Sequence, residues 1–169
     1  MKMNSLLQKD IEGVNLKDIN PNLPSGVIEK KEGYLKSKPI PPTNNSFISG
    51  RFDIISKLDD GTYAIIDFKI SDPTEEKVQK FTHQLHAYKF ALENPQEGEG
   101  KNVSKMGLVI VAPEQIGFKG GFVYFKSTPQ WFEIKEDMDG FLNFIENVNA
   151  VLNSEPPQPS PECKWCIYR

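Results

Sequence analysis

Asp53, Asp67 and Lys69 are the residues of this chain whose types and spacing could do chemistry. Asp67 and Lys69 end a strand that begins with the apolar, β-prone run 63–66, and side chains two apart on a strand point to the same face. Carboxylate and backbone carbonyl oxygens suit a hard divalent cation such as Mg²⁺ or Mn²⁺. Such a cation activates water for attack on a phosphodiester, and the lysine would orient the water or stabilise the transition state. The alternative is a surface hairpin whose Asp67 and Lys69 form an exposed ion pair.

The loop between the two strands decides whether Asp53 shares a face with Asp67. A two-residue turn at 60–61 would make Asp53 point away from Asp67. A three-residue loop at 59–61, with Gly61 in the left-handed conformation after a type I turn, places Asp53 directly opposite Asp67. Opposed residues on one face are roughly 4.5–5.5 Å apart at Cβ, so both carboxylates could bind one cation or share a pair. The odd loop length is therefore a geometric condition for the metal site.

A helix is predicted directly after this hairpin, over residues 72–94. The sequence Asp-Pro-Thr-Glu at 72–75 supplies an N-cap, a proline for the first turn and the glutamate of a capping box, and Pro95 ends the helix. Gln84 and Tyr88 are four residues apart, so they lie one above the other on one face. The alternative for this pair is an amphipathic, half-buried face that happens to include one polar residue.

Together these motifs resemble the RecB-like branch of the PD-(D/E)xK nucleases. The matching segments, in order, are Gly50 to Asp53, Asp67-Phe68-Lys69, Gln84-Leu85-x-x-Tyr88 and a Pro-rich tail that ends in Cys163-x-x-Cys166. The resemblance spans about residues 27–169. It implies a restriction-endonuclease-like α/β fold, with a mixed central sheet flanked by helices in a single domain. It also implies Mg²⁺- or Mn²⁺-dependent hydrolysis of DNA, single- or double-stranded, in repair, recombination or defence.

The resemblance assigns roles to the matching residues. Asp53 and Asp67 would be catalytic metal ligands, the backbone carbonyl of Phe68 would be a third ligand, and Lys69 would be the catalytic lysine. The predicted centre is therefore two carboxylates, one carbonyl and one ammonium at a strand end.

Two further positions follow from the same resemblance. Gln84 and Tyr88 would steady the site or contact the nucleic-acid backbone. Family members usually carry an upstream histidine or glutamate on a helix that completes the metal shell, and residues 1–26 show neither a histidine nor a helical period. Glu29 and Glu32, on a predicted strand, are the nearest substitutes. Without this ligand the chain could instead be a catalytically impaired nucleic-acid-binding or scaffolding domain of the same fold.

Cys163 and Cys166 are the two cysteines of the chain. In many relatives such a pair joins further cysteines around an iron-sulfur cluster or zinc, which takes four ligands, so a complete cluster is not expected here. The pair could mark a chain cut from a longer protein, a degenerate cluster, or a site that a homodimer or partner chain completes. A local disulfide is the alternative, although the absence of a signal peptide favours a reducing, cytoplasmic compartment.

Composition fits one compact domain. With 38% hydrophobic residues among 169, the chain can bury a core, and no apolar stretch approaches membrane-spanning length. We predict an irregular segment at 1–26, the nuclease-like domain at 27–155 and a Pro-rich tail at 156–169. The net charge of −3 does not favour phosphate binding. Either a basic patch compensates or the charges are dispersed; the candidate lysines are Lys77, Lys80, Lys89, Lys101, Lys105, Lys119 and Lys126.

The remaining segments are read as scaffold. Apolar alternation and turn residues predict strands at 27–35, 106–112, 122–125 and 131–134, and helical periodicity predicts a second helix at 141–152. Residues 94–101 and 113–119 are predicted to be long loops that border a substrate groove.

Overall fold

The computed structural model describes residues 9–41, 43, 45–72, 74–156, 158–160 and 162–163. Its helices and strands follow one another along the chain. In order they are α1 (Leu16–Ile19), β1 (Gly26–Lys36), β2 (Ser49–Leu58), β3 (Tyr63–Lys69), α2 (Glu75–Lys80), α3 (Thr82–Glu93), β4 (Val103–Ile110), β5 (Gln115–Lys119), β6 (Phe122–Lys126), β7 (Gln130–Glu133) and α4 (Met138–Leu152).

The main sheet has the strand order β1-β2-β3-β4-β7. β3 and β4 are parallel, and each of the other neighbouring pairs is antiparallel. Because a parallel pair needs a crossover, α2 and α3 carry the chain from the end of β3 back to the start of β4. The predicted α/β fold, a mixed sheet flanked by helices in a single domain, is confirmed. No helix in the described part of the chain is both long enough and apolar enough to cross a membrane.

Buried side chains lie on both faces of this sheet. Ile65 of β3 packs with Leu85 of α3 on one face, and its neighbour Ile66 packs on the other. The second face is covered by the segment before β1, which contributes the fully buried Leu16 and Leu23. This segment, predicted as irregular, therefore contains the short helix α1 and belongs to the core. The domain boundaries stay a prediction.

The predicted helix at 72–94 is two helices, and this prediction was wrong in its continuity. α2 ends at Lys80 and α3 begins at Thr82, with Phe81 between them at φ −91° and ψ −4°. The Phe81 N–H bonds to the carbonyl of Val78, three residues back rather than four, which tightens the turn. The break leaves the Phe81 ring beneath the ammonium of Lys69. Pro73, expected in the first turn, lies outside the described residues.

The predicted loop at 113–119 was wrong over its last five residues. These form β5, which pairs with β6 as a separate two-stranded sheet. The connecting Gly120 and Gly121 have φ of +58° and +78°, as a two-residue type I′ hairpin turn requires. Glycine adopts such angles at no steric cost, so this turn fixes the hairpin.

The loop between β2 and β3 has three residues, as the metal-site geometry requires. Lys57 lies opposite Tyr63 and Ile54 opposite Ile66, so residues 59–61 form the connection. Gly61 has φ +84°, in the left-handed region. The predicted three-residue loop is confirmed, and the two-residue alternative is excluded.

Replacing Gly61 by alanine should lower the free energy of unfolding by about 1–2 kcal/mol, because a Cβ is disfavoured at this φ. Gly61→Asn should cost less, since asparagine adopts the left-handed conformation more readily. Gly117→Ala is the matched control: a Cβ there meets nothing within 4 Å on an exposed strand. Urea unfolding of the three variants measures the difference. Equal stability of Gly61→Ala and Gly117→Ala would contradict the turn assignment.

Candidate active site

Asp67 and Lys69 project together from the end of β3. Their face is that of Ile65, on the side of the sheet that α3 covers. Lys69 Nζ lies 2.6 Å from Asp67 Oδ2 and 4.5 Å from the centroid of the Phe81 ring. Asp67 is 3% exposed, whereas a quarter of the Lys69 side chain remains accessible. The strand therefore ends in a buried carboxylate that a partly exposed ammonium covers.

Asp53 reaches the same place because β2 and β3 separate there. Their paired part ends with Ile54 opposite Ile66, and continuing this register by one residue puts Asp53 opposite Asp67. Beyond that point the N–H of Phe68 donates to Asp53 Oδ2 at 3.1 Å. A side-chain carboxylate thus replaces the backbone acceptor that a continued ladder would supply. The separation of the strands opens the space next to both carboxylates.

The carbonyl of Phe68 faces this opening. In a strand, the N–H and C=O of one residue point to the same neighbouring strand, and successive residues alternate. Lys69 C=O accepts from Val111 N at 2.8 Å, on the β4 side. Phe68 therefore directs its N–H and its C=O toward β2, where the ladder has ended. Its carbonyl oxygen is placed to act as a ligand beside Asp53 and Asp67.

The electrostatics of Asp67 favour a bound cation. Burial raises the pKa of Asp67 to about 6; Lys69 lowers it in opposition, and the neighbouring Asp53 charge raises it further. Lys69 Nζ is at ion-pair distance from Asp67 Oδ2, and among the described residues this buried oxygen accepts no hydrogen bond from any other group. A buried carboxylate oxygen with so few partners is a suitable ligand for a hard divalent cation, which would neutralise both carboxylates.

Gln84 and Tyr88 lie on the same side of the sheet as this site. Gln84 Nε2 donates to Tyr88 Oη at 2.7 Å, so the predicted alignment of the two side chains on one helical face is confirmed. Tyr88 packs against Gly50 of β2, where a Cβ would stand 3.3 Å from the Tyr88 ring. Gly50 therefore lets α3 approach β2 closely, a physical reason for the glycine that leads the first motif.

Glu29, considered above as an additional ligand, is not brought to the site. It sits at a bulge in β1 and pairs with Lys101 at 2.9 Å. The Lys101 ammonium also lies 3.9 Å from the ring centroid of Tyr63, the first residue of β3. Asp67 is four residues further along that strand, about 13 Å away at the usual rise. The bulge and the ion pair hold Glu29 at the wrong end of the sheet.

Glu32, the other substitute considered, has a different position. β1 pairs Lys31 with Ile54 and Gly33 with Phe52, so Glu32 occupies the position facing Asp53. It is exposed and has φ +39°. Across the described residues, no group of three or more His, Cys, Asp or Glu side chains is placed to hold a metal. Asp53 and Asp67 are therefore the carboxylate pair of the described site, and Glu32 lies next to Asp53 on β1 without joining them in a three-ligand group.

Most of the candidate lysines do not form a basic patch. The described ion pairs join Lys80 to Glu76, Lys89 to Glu93 and Glu136, Lys101 to Glu29, and Lys105 to Glu133. These charges are neutralised locally, as the dispersed alternative predicts. Lys119 and Lys126 lie instead on the β5–β6 hairpin. The Lys77 side chain and Cys166 lie outside the described part of the chain, so the prediction for the Cys163 and Cys166 pair lies outside it as well.

A mixed sheet in which β3 ends in a carboxylate and a lysine, next to a second carboxylate on β2, defines an α/β protein of the restriction-endonuclease-like class. The family model described as the PD-(D/E)XK nuclease superfamily matches residues 21–169, and the chain belongs to that superfamily. No curated protein sequence matches the chain. Among solved structures, the crystal structure of SSO0001 is similar, with a TM-score of 0.44 and 19% identity. That alignment covers 99% of this chain, which spans 63% of the other.

Metal-free protein should lose stability as pH rises from about 4 to above 6. The pKa of Asp67 is about 6 in the folded state and near 3.8 in the unfolded chain, so the folded state binds more protons in this window. The shift corresponds to a loss of about 3 kcal/mol. Asp67→Asn should remove this contribution, whereas Asp59→Asn, an exposed carboxylate on the same hairpin, should retain it. Urea unfolding in EDTA across this pH range measures the free energy of unfolding of each protein. The same dependence of that free energy on pH in Asp67→Asn and wild type would contradict the prediction.

Proposed function

We propose that this chain is a Mg²⁺- or Mn²⁺-dependent nuclease that hydrolyses phosphodiester bonds of DNA. The observation that carries the proposal is the buried Asp67 carboxylate, held beside Asp53 and Lys69 where β2 and β3 separate. A buried acid next to a second carboxylate is unfavourable unless a cation or a proton compensates. Membership of a nuclease superfamily supplies the reaction class.

The donors that would hold the cation are the carboxylates of Asp53 and Asp67 and the carbonyl of Phe68. All are oxygen ligands, which Mg²⁺ and Mn²⁺ prefer. When bound, the cation supplies Lewis acidity toward water and the phosphoryl oxygens. Asp53 keeps its carboxylate in place by accepting the Phe68 N–H, which orients one oxygen toward β3.

Lys69 and Tyr88 have roles that follow from their contacts. Lys69 rests its ammonium over the Phe81 ring and stays partly exposed, so it can donate to the attacking water or to a phosphoryl oxygen. Tyr88 accepts its hydrogen bond from Gln84, which leaves the Tyr88 hydroxyl proton available for an anionic oxygen of the nucleic-acid backbone. The Gln84 and Tyr88 pair is thus proposed to position the backbone beside the site.

The finer parts of the proposal come from the sequence motifs. They are membership of the RecB-like branch, a role in DNA repair, recombination or defence, a cytoplasmic location, and a homodimer or partner chain that completes the Cys163 site. The order of the segments from Gly50 to Tyr88 supports the first of these.

A second candidate function is nucleic-acid binding or scaffolding without cleavage. The observation that favours it is the two-carboxylate donor set: Glu29 is held by Lys101, and the described residues offer no group of three acidic, histidine or cysteine ligands. A weakly held cation would leave the binding surface intact and the chemistry slow. Metal-dependent cleavage separates the two candidates.

Asp67→Asn and Lys69→Gln should each lower the rate of metal-dependent DNA cleavage by about 100-fold or more, the usual loss when a charged group at a reaction centre is removed. The matched controls are Asp59→Asn and Lys57→Gln, exposed residues of the same hairpin with the same charge changes. Labelled single- and double-stranded DNA with Mg²⁺ or Mn²⁺ provides the assay.

Cleavage that persists in both site variants would refute this assignment of the site. A wild-type protein that binds Mn²⁺ in calorimetric titration and binds DNA, but does not cut it, would support the second candidate instead. Mn²⁺ affinity should fall below pH 6, because protons compete for Asp67.

A further inference from the structure

The β5–β6 hairpin exposes every residue of its two strands. An isolated two-stranded hairpin is marginally stable, and monomeric proteins rarely expose a large contiguous apolar surface without a binding role. Its large exposed apolar side chains are Ile116, Phe118, Phe122, Val123, Tyr124 and Phe125. A hairpin of this composition indicates an interaction site.

Strand alternation divides the hairpin into two faces of different chemistry. One face, here called the apolar face, consists of Ile116, Phe118, Val123 and Phe125. The opposite face, here called the aromatic–lysine face, consists of Gln115, Gly117, Lys119, Phe122, Tyr124 and Lys126. The two faces offer matched positions for comparison, because both are exposed and they share the same turn.

The rings of the aromatic–lysine face are accessible to a flat ligand. Phe122 is 68% exposed and Tyr124 is 55% exposed, with centroids 6.5 Å apart. Across the hairpin from Tyr124 stands Gly117, where a Cβ would meet nothing within 4 Å. Open space therefore lies beside the tyrosine ring. Both rings can receive a planar group that stacks on them.

Positive charge accompanies these rings. The sequence contains no aspartate or glutamate from Gln115 to Phe132, in a chain of net charge −3. Lys119 and Lys126 lie on the same face as the rings, and no ion pair joins either one to another described residue. The nearest acid, Glu114, accepts from Thr128 N at 3.2 Å. Rings and cations on one face match a strand with exposed bases and phosphates, whereas a duplex conceals its base faces.

The hairpin begins beside the proposed active site. Ile110, the last residue of β4, lies opposite Lys69 on one side and Gln130 of β7 on the other, and the hairpin connects these two strands. Adjacent strands are about 4.8 Å apart, so the two chain segments that lead into the hairpin leave the sheet about one and two strand spacings from Lys69. Phe125 of the apolar face lines a cavity of about 360 Å³ with Phe68, which points away from Lys69. The aromatic–lysine face is therefore turned to the side on which Lys69 projects.

We propose that the aromatic–lysine face binds single-stranded DNA next to the active site. Phe122 and Tyr124 stack on bases, and Lys119 and Lys126 contact phosphates. The delivery of that strand to Asp67 rests on the proposed nuclease function, whereas the binding itself does not. The substrate class of the site is therefore a single strand or a single-stranded end of DNA.

Binding is tested in EDTA, so that cleavage does not interfere, by fluorescence anisotropy of an oligothymidylate of about 20 nucleotides and a duplex of the same length. Replacing both Phe122 and Tyr124 by alanine should weaken single-strand binding about 30-fold or more. The matched control, Ile116→Ala with Phe118→Ala on the apolar face, should change it less than about twofold. Lys119→Gln with Lys126→Gln should reduce the slope of log affinity against log salt by about 0.7 per lysine.

Phe122→Trp with Tyr124→Trp keeps the stacking surfaces and should keep the affinity, which separates stacking from a loss of hairpin structure. Equal losses in the two alanine pairs, or no loss in either, would overturn the proposal. Light scattering tests a second way to overturn the proposal. If the wild type is a dimer and the Phe122 and Tyr124 alanine variant is a monomer with unchanged DNA affinity, the face joins two copies of the chain instead of binding DNA.

The two proposals fail separately. A wild-type protein that binds the single strand through Phe122 and Tyr124, yet never cleaves DNA with Mg²⁺ or Mn²⁺, would overturn the nuclease function and support the binding face. A protein that cleaves DNA, but whose affinity for the single strand is unchanged when Phe122 and Tyr124 are replaced by alanine, would overturn the binding face alone.

Discussion

The register between β2 and β3 is the constraint on which the site depends. Side chains alternate along a strand, so a slip of one residue would turn Asp53 to the opposite face from Asp67. The three-residue loop prevents this, because Gly61 holds a φ of +84° and Leu58 N bonds to Thr62 O at 2.9 Å. Neither the buried core nor the carboxylates could be placed as they are with a shorter turn.

The same site works against the stability of the fold. A buried carboxylate with a pKa of about 6, next to a second carboxylate, costs free energy that an uncharged residue would not. The sheet tolerates this because β2 and β3 are held together along the ladder from Lys57 to Ile54 before they separate. Lys69 compensates in part through its ion pair with Asp67. Active sites commonly carry such local costs, which function rather than stability requires.

Features that depend on neighbouring residues in the sequence were predictable, whereas features that depend on contacts between distant parts of the chain were not. Asp-Asp-Gly between two β-prone runs specifies its own turn, and a spacing of four on a helix aligns Gln84 with Tyr88. The helix break at Phe81 is not predictable in this way, because the amphipathic spacing continues through it and the Phe81 ring meets Lys69 of β3 only in the folded chain. The position of Glu29 depended on a bulge in β1, which leaves no trace in hydrophobic periodicity.

The β5–β6 hairpin shows a different limit. Gly120-Gly121 indicates its turn, and apolar residues alternate through Ile116 and Phe118, yet the sequence pattern predicts a loop at 113–119. Burial normally marks a strand, and this one has exposed side chains on both faces, so the usual contrast between core and solvent is missing. An apolar strand that the fold leaves uncovered gains nothing from the core, and its composition then has to be explained by what binds to it.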